Sequence, residues 1–294
     1  MIIDSHAHYA HPRFDTEFPY LDREDNTYTV NRADREALLA DMREQQIVGF
    51  IEPSIGFDSI EKQLKLVAAH SPYMWAAIGI HPTRCIHTPW KSRKKVAQYA
   101  EEAHPIAIGE TGLDYHYPRN QQNRLRQKRW FIYQLKLAHR LGLPLVLHIR
   151  EADRDALKIL KKYRSLLHGG VVHCFGGDHH LAEEYIGLGF TVGIGGKLLC
   201  SDDQGKILCD TVKHIPLTSL LVETDAPFVL PDIADLPCSG NQRKKICNSS
   251  LILPIVIQKI AELRGESCKA VEDTIYQNTV KTFGLRVNGG NHHE

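Results

Sequence analysis

A (β/α)8 TIM barrel is the fold this sequence predicts, and three observations carry the prediction. Eight short apolar or β-branched runs are present, eight segments of helical period lie between or after them, and the two kinds alternate strictly. Alternation implies parallel strands joined by helical crossovers, and eight units select a closed barrel over an open doubly wound sheet. A chain of 294 residues then reads as one barrel domain spanning 1–294, because barrels of about 250 residues commonly form a single unit.

The expected strands are 2–3, 47–53, 74–80, 105–110, 143–149, 170–174, 190–194 and 219–223, each an apolar run bounded by turn residues. The expected helices are 34–45, 59–70, 91–104, 122–141, 153–167, 179–188, 202–214 and 251–264. A further helical segment at 268–283 is expected to pack outside the closed ring as a C-terminal helical extension.

Hydrophobic and charged fractions of 43% and 24% are ordinary for a globular chain. A formal net charge of +1 provides no global field toward nucleic acid or an anionic membrane, so such affinity has to come from local patches. Seven cysteines at irregular spacing, without a CxxC pair, read as reduced thiols in a cytoplasmic setting. The opening residues lack a basic stretch followed by an apolar run, and no segment approaches eighteen consecutive apolar residues. Neither an export signal nor a membrane span is expected.

Six residues able to bind metal fall at the expected C-terminal ends of strands. His6 and His8, one residue apart after the first strand, point the same way, as two ligands of one metal require. Alone, this HxH pair would equally suit partly solvated polar residues at a strand end. Glu110 ends the fourth expected strand, where a carboxylate can bridge two cations. His148 and His173 close the fifth and sixth runs, where an imidazole without a partner is costly. Each alone would fit a hydrogen-bonded core histidine, and Asp225 after the eighth strand would fit a cap. Their coincidence on the face where barrel enzymes carry their sites argues for one constellation. Four imidazoles and two carboxylates suit one or two divalent metal ions with a position left for water, and leave Mg, Mn, Zn, Ni and Co open.

The motifs resemble those of the TatD family of metal-dependent deoxyribonucleases, within the wider amidohydrolase-like barrels. The segments that carry the resemblance are Asp4-Ser5-His6-Ala7-His8, Gly79-Ile80-His81-Pro82, Gly109-Glu110-Thr111-Gly112-Leu113-Asp114, Leu147-His148-Ile149-Arg150-Glu151, His173-Cys174-Phe175-Gly176-Gly177 and Glu223-Thr224-Asp225-Ala226-Pro227. The resemblance implies that His6, His8, Glu110 and Asp225 surround one metal, and that His148 and His173 hold a second bridged by Glu110. It also implies a 3′-5′ exonuclease acting on single-stranded DNA through a metal-activated water, with Asp225 as general base. His81 is expected near the substrate, and Arg150 at phosphate or supporting Asp114 or Glu151.

Two segments depart from the family pattern. Ile246-Cys247-Asn248-Ser249-Ser250 stands where the family usually carries Arg-Asn-Glu-Pro, and a connection at 13–30 is longer than expected. This insertion mixes Asp15, Glu17, Asp22, Glu24 and Asp25 with Phe14, Phe18, Tyr20 and Tyr28. On the catalytic face it reads as a lid or as a docking surface for a protein partner. Arg119, Arg124 and Arg243-Lys244-Lys245 are candidate phosphate grips on the same face. Loops select substrates on a barrel, so two alternatives stand beside the nuclease reading: hydrolysis of another ester or amide, such as an acyl group on tRNA, and a partner-dependent subunit of a larger assembly.

Overall fold

The computed structural model describes residues 1–24, 27–116, 120–231 and 243–286. Arg119 and Asp25 lie outside them. In chain order the elements are β1 (Ile2–Asp4), β2 (Phe18–Glu24), β3 (Thr27–Ala33), α1 (Arg35–Glu44), β4 (Ile47–Pro53), α2 (Ile60–Ala69), β5 (Met74–Ile78), α3 (Pro82–Cys85), α4 (Arg93–Ala103) and β6 (Ala107–Asp114). There follow α5 (Gln121–Leu141), β7 (Leu145–Arg150), α6 (Asp153–Lys162), β8 (Gly170–Val172), α7 (His179–Ile186), β9 (Phe190–Ile194), α8 (Asp203–His214), β10 (Leu220–Val222), α9 (Leu253–Arg264) and α10 (Cys268–Phe283).

Eight strands pair in parallel in the order β1-β4-β5-β6-β7-β8-β9-β10. The ring is completed just beyond β1 and β10. Ser5 N donates to Val222 O at 3.0 Å, Asp225 N donates to His6 O at 2.9 Å, and Ala7 bridges Ala226 in parallel. The TIM barrel expected from the alternation is the fold observed. Helix starts follow local chemistry: Asp34, Asn120, Asp178, Asp202 and Ser267 each accept a backbone N–H of the first turn of α1, α5, α7, α8 and α10.

Side chains alternate across each strand, which divides the apolar residues into two layers. One packs the strands against the outer helices, with Phe50, Phe131, Tyr185 and Phe190 fully buried. The other fills the base of the lumen with Ile3, Ile51, Ala77, Ala107, Val146, Val171 and Leu221. Val146 and Val171 stand two residues before His148 and His173, so this apolar floor and the imidazoles above it share the inner face.

Three details differ from expectation. The C-terminal extension stands outside the ring of crossover helices but also plugs the barrel: Tyr276 and Phe283 of α10, with Leu285 beyond it, join the lumen cluster. The fourth barrel strand, β6, does not stop at Glu110 but continues to Asp114, with its register against β7 shifting between Ile108 and Thr111. The 13–30 insertion is no open loop; it forms the antiparallel hairpin β2–β3. Its Phe14, Phe18, Tyr20 and Leu21 are buried in the main core, and Tyr20 bridges Cys247. The acidic residues interleaved with these aromatics hid the strand period.

Truncation of the plug should weaken the whole barrel, because Phe283 is 4% exposed and large-to-small changes at such sites cost about 3–5 kcal/mol. Phe283→Ala is expected to lower the unfolding free energy by that amount, read as a lower urea midpoint with an unchanged m-value.

Candidate metal centre

The inner-face residues meet at the C-terminal mouth of the barrel around Glu110. The register shift in β6 turns this carboxylate into the lumen, and Glu110 N donates to Ser54 O, just beyond β4 two strands away, at 3.2 Å. Its two oxygens face different partners. Oε2 lies 3.7 Å from both His6 Nε2 and His8 Nε2. Oε1 lies 2.7 Å from His148 Nδ1, 2.9 Å from His173 Nε2 and 3.4 Å from His81 Nε2. Asp225 completes the first side, its Oδ1 3.4 Å from His8 Nε2 and 3.7 Å from His6 Nε2.

The outer nitrogens decide what the inner ones offer. His8 Nδ1 faces Pro53 O at 3.1 Å, an acceptor, so Nδ1 carries the proton and Nε2 presents a lone pair inward. His148 Nε2 donates to Asp114 Oδ2 at 3.2 Å, which leaves Nδ1 as the inward atom. His173 Nδ1 points toward Glu223 Oε1, 3.7 Å away, and Glu223 is held by a hydrogen bond from Cys174 N. Carboxylates behind imidazoles in this way fix ring orientation and raise ligand basicity.

His81 is built differently. Its Nδ1 accepts Thr83 N at 3.2 Å, so the neutral ring bears its proton on Nε2, toward Glu110. Burial pushes its conjugate acid down to about 3 despite the pull of Glu110. His81 is therefore a neutral donor into the site, although its nitrogen is close enough to pair with Glu110 and His148 about an ion.

The remaining donor set fits divalent cations. With neutral imidazoles every inward atom on both sides of Glu110 is an acceptor, and acceptors crowded to 3.1 Å, as His6 Nε2 and His8 Nε2 or His148 Nδ1 and His173 Nε2 are, need protons or cations between them. The carboxylates draw positive charge to the same place. Burial opposes charge on His8, but the hydrogen bond and charge of Asp225, with Glu110 and Glu52, raise it to about 9. Burial likewise opposes charge on His173, yet Glu110 and Glu223 take it well above the ordinary value. Glu110 is pushed upward by burial but held well below the usual carboxylate range by His81, His173 and His148.

Buried carboxylates away from the centre brace the strands that carry it. Asp4 accepts His6 N at 3.0 Å, Thr224 Oγ1 at 2.6 Å and Ser250 Oγ at 2.7 Å, tying the first strand to the Asp225 loop. Glu52 accepts Tyr9 N at 2.6 Å and Ala10 N at 3.1 Å, and so sets the chain leaving His8. Asn248 donates to Thr224 O at 2.9 Å and Val229 O at 3.3 Å, clasping the loop on which Asp225 stands. Ser250, in the segment that departs from the family pattern, also exchanges hydrogen bonds with Tyr9. Cys174 and Asp225 have φ of +48° and +55°, a left-handed strain of about 1–3 kcal/mol each that the surroundings must impose.

The centre opens into a cavity of about 580 Å³ that also touches His11, Lys62, Arg84 and Phe228. His8, His81, Glu110, His148, His173 and Asp225 line it, while His6 is fully buried against Glu110 and stacked on His173 at 3.8 Å. Arg150 is exposed at the end of β7 and is not among the lining residues. Arg124 stacks over Tyr115 at 4.4 Å, and Arg243 donates to Pro231 O at 2.6 Å; neither lines the cavity. The cations that do are Lys62 and Arg84, which sequence reasoning missed. The available signal was topological, since both follow barrel strands on the catalytic side. The insertion's acidity is also offset locally: Lys62 and Arg35 pair with Asp15 at 2.5 Å, and Arg32 pairs with Glu17 at 3.2 Å.

Comparison with known proteins agrees in family and fold. The family model for TatD-related DNases matches residues 3–284. The 3′-5′ ssDNA/RNA exonuclease TatD of Pantoea ananatis is 33% identical over 262 residues, 88% of this chain and 96% of that one. The exonuclease of the same name from a Rahnella species is 36% identical over 228 residues, 78% and 83% of the two chains. The crystal structure of YjjV, a TatD homologue from Escherichia coli, superposes with a TM-score of 0.77 at 28% identity, covering 97% of this chain and 98% of that one. A TatD family hydrolase from Entamoeba histolytica shares the fold, with a TM-score of 0.75 at 19% identity over 96% and 97% of the chains.

Two outcomes follow from the supporting carboxylates. A Cβ at Gly193 would collide with Glu223 Oε2, so Gly193→Ala is expected to displace the carboxylate behind His173 and to weaken divalent-cation affinity about 10–100-fold, read by calorimetric titration. Burial, opposed by His8 and the Tyr9 and Ala10 amides, raises Glu52 to about 7, above its usual value of about 4.3. The folded state then binds the extra proton between those values, so this group's stabilisation is complete below about 4.3 and is lost as pH rises to about 7. Relative to Glu52→Gln, the chelator-treated chain should lose urea resistance across that window and no further above it.

Proposed function

The chain belongs to the TatD-related DNase family, and from that premise we propose that it is a metal-dependent exonuclease removing nucleotides from the 3′ end of single-stranded DNA or RNA. Family membership makes it a hydrolase of phosphodiester bonds; the polarity and the single-stranded substrate follow the activity named for its relatives. The observation that carries the reading is the two-sided Glu110 carboxylate, with one set of nitrogens at each oxygen.

In this reading His6, His8, Asp225 and Glu110 would hold one divalent cation, and Glu110, His148 and His173 would hold another. Bound cations lower the pKa of water and offset charge on the attacking and leaving oxygens. The rest is done by the chain. Asp225, 18% exposed and beside His8, is the group in the cavity placed to take the proton of the attacking water. His81 Nε2–H donates a hydrogen bond to a phosphate oxygen, and burial, which pushes its conjugate acid down to about 3, keeps that donor neutral. Lys62 and Arg84 attract the strand to the mouth by charge. Arg150, exposed at the edge of the same face, serves as an outlying phosphate contact.

Asp225→Asn is expected to lower kcat on labelled single-stranded DNA by about 10²–10⁴-fold in Mg or Mn, the usual worth of a general base, with an unchanged circular dichroism spectrum. Full activity in that variant would sink the assignment of the base. Calorimetry should count two cations per wild-type chain and one fewer after His148→Ala, while Glu110→Ala should lose activity in every metal. Parallel assays on duplex DNA and on an acyl-tRNA should show little turnover.

A further inference from the structure

Phe228 is the residue that the metal centre leaves unexplained. Of the large apolar side chains exposed among the described residues, Met1, Leu125, Ile207 and Phe228, it alone is aromatic and it alone lines the catalytic cavity. It is 38% exposed, although burying a phenyl ring is strongly favourable. Among the described residues its ring meets others through edge contacts, at 5.1 Å to His11 and 6.3 Å to His8.

The backbone holds the ring in this position. Phe228 N donates to Asp225 O at 2.8 Å, so the phenyl ring sits one tight turn from Asp225 and moves with it. The next residue, Val229, has φ +51°, a conformation a β-branched residue rarely adopts. Asn248 donates to the carbonyls of Thr224 and Val229, on either side of the turn. A strained, clasped turn that presents an aromatic ring to a cavity is a feature with a ligand-side use. The cavity, about 580 Å³, falls in the range of small-ligand pockets and has room for a terminal nucleotide. Lys62 and Arg84 supply positive charge to the same cavity.

Building on the exonuclease reading, we infer that Phe228 is the platform on which the 3′-terminal base stacks, placing the adjoining phosphodiester at Glu110 and Asp225. Stacking accepts any base, because every base has a π-face, and so gives grip on a strand end without sequence preference. A paired end keeps its terminal base stacked and bonded within the duplex, which withholds it from the platform.

The test uses the full metal-loaded chain and two labelled oligonucleotides, one intact and one whose 3′-terminal nucleotide is abasic. Phe228→Ala should raise KM on the intact strand about tenfold, within the range of one base stack, with kcat changed less than twofold. Phe228→Leu, which keeps apolar bulk, should behave like Phe228→Ala, and Phe228→Tyr should restore the wild-type KM. Removing the terminal base should cost the wild type the same factor and cost Phe228→Ala nothing more. Equal penalties in the two chains, or a wild-type KM in Phe228→Leu, would overturn the platform. If the wild type cleaves neither strand, the exonuclease reading fails by itself. Fluorescence anisotropy of the same oligonucleotides then decides the platform, with equal affinities of wild type and Phe228→Ala counting against it.

Discussion

The seam between the first and last barrel strands is the contact on which the structure depends. The bonds that close the ring, Ser5 to Val222, Asp225 to His6 and His8 to Ala226, involve the backbone that presents His6, His8 and Asp225. Closing the fold and bringing His6, His8 and Asp225 together are therefore one event. Asp4 makes the seam a side-chain junction as well, since its buried carboxylate collects donors from the first strand, from Thr224 and from Ser250. Burial pushes this carboxyl up to about 7 even against those hydrogen bonds. A group so expensive to ionise persists where it organises several segments at once.

A second set of buried polar groups extends the same logic around the barrel. Glu52, Asp114 and Glu223 sit under or behind the centre and serve backbone amides or imidazoles. With Pro53 O behind His8, Asp114 behind His148 and Thr83 N behind His81, the group packed behind each ring settles which nitrogen faces inward. That choice separates His8 and His148, which present lone pairs, from His81, which presents a proton. Histidines gathered around one carboxylate thus acquire different chemistry from what stands behind them. The apolar floor of the lumen, completed by α10, closes the other end and leaves the cavity at the catalytic mouth.

The insertion shows how local composition can mislead. Acidic residues among aromatics suggest a solvated, adhesive loop on the catalytic face. In the fold the described aromatics turn inward and pair the hairpin with the segment of Cys247, while Asp15 and Glu17 are met by Lys62, Arg35 and Arg32. Like-charge repulsion of a phosphate backbone is correspondingly reduced near the cavity. Asn248, retained where the family motif otherwise changes, is read by the structure as the clasp of the Asp225 loop. No helix among the described residues is long and apolar enough to cross a membrane.

The sequence by itself determined the architecture and the membership of the central cluster. Hydrophobic period is a local property, and eight alternations of it specify a barrel; residues at strand ends then converge because the barrel has one C-terminal face. It could not determine what depends on distant backbone. The register shift that turns Glu110 inward, the tautomers imposed by Pro53, Asp114 and Thr83, the entry of Lys62, Arg84 and Phe228 into the cavity, and the plug formed by α10 all arise from contacts between segments far apart in the chain. Period and spacing record which way a side chain points from its own strand, whereas a proton's position on an imidazole is decided by the atom packed behind it, and only the closed barrel supplies that atom.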